Sequence, residues 1–358
     1  MFGANNIRFA QETLAGCLIL LVSLFCPSWA YAQAIPANNA DNSIVVLMYH
    51  RFGQDQYPST NVRLEQLDAH IAELASGGYN VLPLPDIIHA LRAGTVLPDR
   101  TIGITVDDAF RSVFDNAWPK FKAAGLPFTV FVATDNVDQG NPDFMSWDQI
   151  KTLHEDGVTI AAHSLSHDHL PALDKDTTAR EVNQSIARLE EMLGKRPEFF
   201  AYPYGETDLR LMKQVEEAGM LAAFGQQSGA ITPAHNIWYL PRFAINERYG
   251  EAGRFRQVVN SLGLAVQDVT PFDPHLGQTP GDNPPAMGFT MPSNINRGDE
   301  LACYHSDTGR IEDMTRLGPY RVELRFSKAF RSGRTRVNCT VPGPNGRWRW
   351  FGSLFYVR

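Results

Sequence analysis

The chain has 358 residues, 44% of them hydrophobic and 20% charged, with a formal net charge of −7. That length leaves room for one large domain and a smaller one, and the composition is ordinary for a globular protein. The acidic balance argues against a nucleic-acid partner, which needs clustered basic surface, and no long charge run or low-complexity tract is present.

The N-terminus reads as a signal peptide over residues 1–32. Arg8 gives a weakly basic start, Thr13 to Phe25 is too short an apolar run to span a bilayer comfortably, and Ala30-Tyr31-Ala32 fits the small-x-small cleavage rule. Cleavage would place the protein in the periplasm or outside the cell, with no stable membrane span afterwards; an uncleaved anchor is the alternative. Of four cysteines, Cys17 and Cys26 would leave with the signal. Cys303 and Cys339 would remain, and an even pair in an exported chain points to one disulfide. It would close a loop of about 36 residues and add about 3 kcal/mol in the chain-entropy account.

The elements then follow in order. Ile44 to Tyr49 is a β-branched apolar run, hence a buried strand, ending at His50. Arg63 to Ser76 carries Leu64, Leu67, Ile71 and Leu74 at helical spacing and stops at Gly77-Gly78. Tyr79–Leu82 reads as a short strand, Pro85–Arg92 as a short helix, and Thr101–Val106 as a strand leading into Asp107-Asp108. Arg111 to Ala124 reads as a helix bent at Pro119. Phe128–Ala133 and Val158–Ala162 are strands, with a helix over Trp147–Asp156 between them. A long helix over Thr177–Leu193, a strand at Phe199–Tyr202, a helix at Asp208–Ala218 and a strand at Leu221–Gly225 complete the run. This alternation of near-continuous apolar strands with helices points to a parallel sheet covered by helices. In such folds the chemistry gathers at the carboxyl ends of the strands. His50, Asp107-Asp108, His163 and the Pro203-Tyr204-Gly205 turn each follow a strand directly.

Beyond about Val266 the composition shifts. Residues 267–297 are rich in Pro, Gly and Asn and read as a linker or long loop. Leu301–His305, Tyr320–Phe326, Arg334–Thr340 and Trp348–Val357 alternate as antiparallel strands of a small C-terminal β unit, 298–358. The catalytic domain is expected over 43–266.

Two adjacent carboxylates at a strand end raise each other's pKa, and burial raises it further. A bound cation reverses that penalty. His163-Ser164-Leu165-Ser166-His167 supplies two imidazoles after another apolar run, and one Asp with two His can hold a divalent metal with positions left open. Each piece has a plainer reading alone. An Asp pair is commonly a solvated turn or helix cap, two His four apart are commonly a helix surface, and His50 could be a satisfied core histidine. His154, His169 and His235 read as structural. Trp147 is either a core residue or a groove wall. Trp348, Trp350 and Phe351 could stack on sugar rings but more often such residues pack a small core.

Together these residues resemble the polysaccharide deacetylases of carbohydrate esterase family four, over roughly residues 44–250. Thr105-Val106-Asp107-Asp108-Ala109 resembles the family's Thr-Phe-Asp-Asp-Gly motif, the two histidines its metal motif, and Ala201-Tyr202-Pro203-Tyr204-Gly205 its Arg-x-Pro-Tyr-Gly turn. The resemblance implies an α/β fold, a distorted (β/α) barrel of about seven parallel strands. It implies that Asp108, His163 and His167 hold a divalent metal (zinc, with cobalt or nickel able to substitute), and that Asp107 is the general base. The Tyr204 backbone N–H would stabilise the oxyanion. Leu47-Met48-Tyr49-His50 resembles the subgroup acting on exported poly-N-acetylglucosamine, which makes His50 the general acid. The implied substrate is an N-acetylated glycan: peptidoglycan, poly-N-acetylglucosamine or a chitin oligomer. Two departures stand out. Ala109 replaces a glycine, which matters only if φ is positive there. Ala201 replaces the arginine that pairs with the catalytic Asp, and Arg242 is the candidate to supply that guanidinium. A sugar-binding protein with degenerate catalysis is the rival reading, and Ala201 is its best support.

Overall fold

The computed structural model describes residues 42–358; the expected signal segment lies outside them. Eight parallel strands form the main sheet. They are β1 (Ile44–Tyr49), β2 (Asn80–Val81), β3 (Thr101–Val106), β4 (Thr129–Val132), β5 (Thr159–Ala162), β6 (Phe199–Ala201), β7 (Ala222–Phe224) and β8 (Phe243–Ala244). The order is β8-β1-β3-β4-β5-β6-β7, with β2 beside β3. The last strand turns back toward the first: Leu240 donates its N–H to Ala223 and accepts one from Gly225, both at 2.9 Å, three residues before β8. This is the expected distorted (β/α) barrel. Helices cover the outside while side chains fill the inside, so the long strands β1 and β3 are buried at every position.

The register sets the site. Tyr49 lies opposite Val106, Val132 opposite Ala162, and Ala201 opposite Phe224. The residues that follow these strands therefore leave the sheet at one end and at similar heights. Asp107 N donates to Tyr49 O at 2.9 Å, and His163 N donates to Val132 O at 3.0 Å, which carries the ladder one residue past each strand.

The expected helix over Arg111–Ala124 has a different form. Val113–Ala117 is a π-turn, and the α-helix runs only over Trp118–Ala123 with Pro119 in its first turn. A proline has no N–H to donate to the preceding turn, so the tight helix begins where that loss does not matter.

Residues 267–297 are not a loop throughout. They contain β9 (Gln267–Thr270), the short pair His275–Leu276 and β10 (Met287–Thr290). The Pro, Gly and Asn residues punctuate short strands here, and Met287 and Phe289 are fully buried. β10 pairs with β13 (Arg321–Leu324), which pairs with β12 (Met314–Leu317). A second sheet joins β11 (Ala302–His305), β14 (Gly333–Pro342) and β15 (Trp348–Val357). The two sheets enclose their own core, with Met287, Phe289 and Val322 from one side and Val337, Cys339 and Phe355 from the other. Cys303 and Cys339 sit opposite each other on β11 and β14 and form the expected disulfide.

The outer face of β14 and β15 lies against the barrel. Gly352 on β15 makes this approach possible, because a Cβ there would collide with the Ser228 carbonyl. Trp350 packs edge-on to Phe243 at 5.4 Å, and Arg347 pairs with Asp99 at 2.8 Å. No helix among the described residues is long and apolar enough to cross a membrane.

Candidate active site

The two carboxylates of the Asp pair have separate partners. Asp107 is fully buried and faces Arg242, also fully buried. The guanidinium donates Nη1 to Oδ1 at 2.7 Å and Nη2 to Oδ2 at 2.8 Å, while Nη1 reaches Thr105 Oγ1 at 3.1 Å and Nε donates to Gly225 O at 3.0 Å. Phe131 and Phe224 lie under it at 5.3 and 5.9 Å. Burial opposes the Asp107 charge, but Arg242, with His163 and His50, holds the carboxyl below its ordinary range. The guanidinium that residue 201 lacks thus comes from the segment between β7 and β8. A bidentate fork of this kind fixes the carboxylate plane.

Asp108 turns the other way. Its Oδ1 lies 3.2 Å from His163 Nε2 and 3.1 Å from His167 Nε2. The three donor atoms fall within 4.8 Å of one another, and this is the only such His/Cys/Asp/Glu group found among the described residues. Asp108 Oδ1 and His163 Nε2 are buried and make no well-aligned hydrogen bond, despite their closeness. His163 Nδ1 lies 2.7 Å from Ala201 O. A proton on Nδ1 directed at that carbonyl leaves the Nε2 lone pair free, which is how metal-binding imidazoles are held. Burial works against the Asp108 charge too, and the two imidazoles keep its carboxyl well below the usual range. One carboxylate, two imidazoles and unpartnered buried lone pairs converging on a point fit a divalent cation.

The supporting turns are strained. Of nine non-glycine residues with positive φ among the described residues, five are Asp108, Ala109, Ser164, His167 and Tyr204. Each costs about 1–2 kcal/mol relative to a relaxed backbone. Strain clustered this way is typical of functional sites. Ala109 has φ +61, so the condition under which its missing glycine matters is met. The loop between the histidines is tied down by Glu181, which accepts from Leu165 N at 3.1 Å, Ser166 N at 2.9 Å and Ser166 Oγ at 2.8 Å. Gly205 has φ +73, and a Cβ there would collide with the Gln226 backbone.

Asp108, His167, His50 and Tyr204 open onto one cavity of about 440 Å³. His50 is half-buried, and burial pulls its pKa down while Asp108 and Asp107 pull it up, with a net lowering. A cavity of about 550 Å³, lined by Phe272 and Phe351 among others, includes none of the metal-set residues.

Several residues at the site carry no motif. His169 stacks on Tyr204 at 4.2 Å and bonds through Nδ1 to the buried Glu206 Oε2 at 2.6 Å. Arg334 on β14 donates to Tyr204 O at 3.1 Å and to Gln226 Oε1 at 3.3 Å, and its Nε lies 3.6 Å from Glu206. The C-terminal unit thereby holds the Tyr204 turn from outside the barrel. Arg336, Asn338 and Trp350 line the cavity beside it. His169 stands two places after His167, and Arg334, Arg336 and Asn338 alternate along one strand, which are the signals sequence offered. Trp147 donates Nε1 to Asp138 at 2.8 Å and is not on the cavity wall. Phe351 packs in the second core against Phe289, and Trp348 is exposed. His235 bonds within its own turn to Thr232.

Residues 95–223 match the polysaccharide deacetylase family. A poly-beta-1,6-N-acetyl-D-glucosamine N-deacetylase of Staphylococcus aureus is 26% identical over 233 residues, covering 58% of this chain and 80% of that protein. Among solved structures, a Streptococcus pyogenes deacetylase in complex with acetate superposes with a TM-score of 0.57 at 19% identity, over 61% of this chain and 98% of that one. The IcaB protein of Ammonifex degensii gives 0.54 at 23% identity, over 60% and 97%. These superpositions show the barrel fold.

Proposed function

We propose that this protein is an exported, metal-dependent deacetylase that hydrolyses the N-acetyl groups of N-acetylglucosamine-containing glycans to free amine and acetate. The observation that carries the reading is the division of the Asp pair. One carboxylate is clamped by Arg242, and its neighbour converges with two imidazoles on a common point. The family match and the Staphylococcus relative support the same chemistry. The catalytic domain is taken as residues 43–266, and the protein is placed in the periplasm or outside the cell.

In this reading Asp108, His163 and His167 hold the divalent ion, with zinc best suited to one carboxylate and two imidazoles. When bound, such an ion supplies Lewis acidity, polarising an acyl oxygen and lowering the pKa of water from about 15.7 toward about 7. Asp107 accepts the proton of the attacking water. The Arg242 fork keeps it ionised and aimed, and each carboxylate oxygen retains a lone pair beyond the one that Arg242 occupies. The Tyr204 N–H, on its strained turn, stabilises the oxyanion, a contribution of about 2.7–4 kcal/mol for one such donor. His50 gives the leaving amine its proton.

The test is acetate release from N-acetylglucosamine oligomers and from peptidoglycan, with and without chelator. Release that stops with chelator and returns with added zinc is expected; metal-loaded protein that releases no acetate from either contradicts the reading. His50→Ala should lower kcat by about 10²–10⁴-fold. Its protonated form is lost as pH rises through a pKa below the usual histidine value. The wild-type limb on which turnover falls with rising pH should therefore vanish in the variant; an unchanged pH profile would remove His50 from the acid role.

A further inference from the structure

The chain is acidic, at −7 overall, yet the cavity onto which Asp108, His167 and Tyr204 open is also lined by three arginines, Arg254, Arg334 and Arg336. Asp108 is the only carboxylate-bearing residue among those lining the cavity, and it belongs to the metal set. Arg334 is occupied with Tyr204 and Glu206. Arg254 on the helix Ala252–Val259 and Arg336 on β14 are each half-buried, and neither has an ion pair or side-chain hydrogen bond with any described residue. Burial disfavours the charge of both, and Arg334 adds repulsion on Arg336.

Packing accounts for part of this. Arg254 stacks over Trp350 at 4.7 Å, and a cation over an indole needs no further explanation by itself. It does not account for Arg336, which has no such stack among the described contacts. Nor does it account for two guanidinium groups withdrawn from water into one cavity with no carboxylate paired to either. Glu206 lies within reach of Arg336's field, but His169 and Arg334 already hold it. Half-buried charges without partners are costly, and removing that cost is what a complementary ligand does. A guanidinium fork matches a carboxylate in two hydrogen bonds.

We infer that Arg254 and Arg336 form an anion subsite in the substrate cavity, so that the preferred glycan carries a carboxylate close to the acetamido sugar that is hydrolysed. This rests on the deacetylase reading and narrows its substrate class from N-acetylated glycans in general to acidic ones. A lactyl ether and a uronate both supply the required group. Trp350, which lines the same cavity under Arg254, offers an aromatic surface.

The experiment compares three oligosaccharides of equal length: neutral N-acetylglucosamine, alternating uronate and N-acetylglucosamine, and a lactyl-bearing glycan strand. Acetate release is followed for the wild-type protein, for Arg254→Gln/Arg336→Gln and for Arg336→Lys. Binding of each oligosaccharide is measured separately by calorimetry. The wild-type protein should favour one of the acidic substrates over the neutral one by about tenfold or more in kcat/KM, mainly through KM and less so at high salt. The better acidic substrate names the source of the carboxylate. The double variant should bring that ratio near one, while Arg336→Lys, which keeps the charge without the fork, should retain part of it. Equal use of neutral and acidic substrates by the wild-type protein would overturn the subsite. So would a change confined to inhibition by product acetate. If no substrate releases acetate but arginine-dependent binding of the acidic glycan remains, the subsite stands and the deacetylase reading fails. If release occurs and calorimetry shows no arginine dependence, the reverse holds. Absence of both overturns both.

Discussion

Two walls face the cavity, and they are built by opposite means. The barrel wall gathers Asp108, His167 and Tyr204 on turns with φ of +73, +64 and +59, each just beyond a strand end. The C-terminal wall sets Arg334, Arg336 and Asn338 at every second position of a regular ten-residue strand. The first wall accepts backbone strain to bring side chains from different strands onto one point. The second has no strain in its strand and obtains its reach from length and alternation. The contrast separates two demands. Under the proposed function, assembling a metal set and a base needs convergence, whereas lining a groove for an extended polymer needs a row.

That contrast can be broken at several places, and Arg242 should give the largest effect. It is the support hidden behind the barrel wall, and Arg242→Ala would leave Asp107 buried and unpaired. Removing one partner of a buried ion pair costs about 3–5 kcal/mol. Thermal unfolding should show that loss. Turnover should fall with metal content intact, and unchanged turnover would refute the orienting role of Arg242.

Arg334 joins the two walls, and its removal should be milder. Arg334→Ala frees the Tyr204 carbonyl and leaves Glu206 with His169 alone. A loosened oxyanion donor should cost a fraction of the ~2.7–4 kcal/mol assigned to a whole one, so kcat should drop several-fold with KM for small neutral oligomers little changed. A KM effect with kcat intact would place Arg334 in the substrate row instead of behind the turn.

Ala109 gives the smallest effect, and in the opposite direction. At φ +61 a methyl group is strained, and Ala109→Gly relieves that strain while adding freedom to the unfolded chain. The net should be a stabilisation of about 0.5–1 kcal/mol, read from denaturant midpoints. A loss of stability would mean that the buried methyl group contributes more packing than the turn costs.

The same contrast explains what could be read from the sequence. The barrel wall was legible because its strands are apolar runs and its reactive residues sit in short motifs directly after them. β1, β3 and the Cys303–Cys339 pairing fall where the residues place them. Arg242 was legible only as a candidate, since no local pattern joins it to Asp107, 135 residues away. β9 and β10 were hidden because two- to four-residue strands among prolines and glycines leave too little alternation to detect. Arg254, Arg336 and Glu206 were unreadable for a different reason. An alternating arginine looks like any solvated strand face until the sheet is seen to lie against the barrel, and only Gly352 marks that approach.

The most direct test of the divided Asp pair is metal content measured beside acetate release in Asp107→Asn and Asp108→Asn. The first should keep its metal and lose turnover by about 10²–10⁴-fold, as expected for loss of a general base. The second should lose both. Equal metal loss in the two variants, or full metal retention in Asp108→Asn, would contradict the assignment of one carboxylate to the ion and the other to the proton.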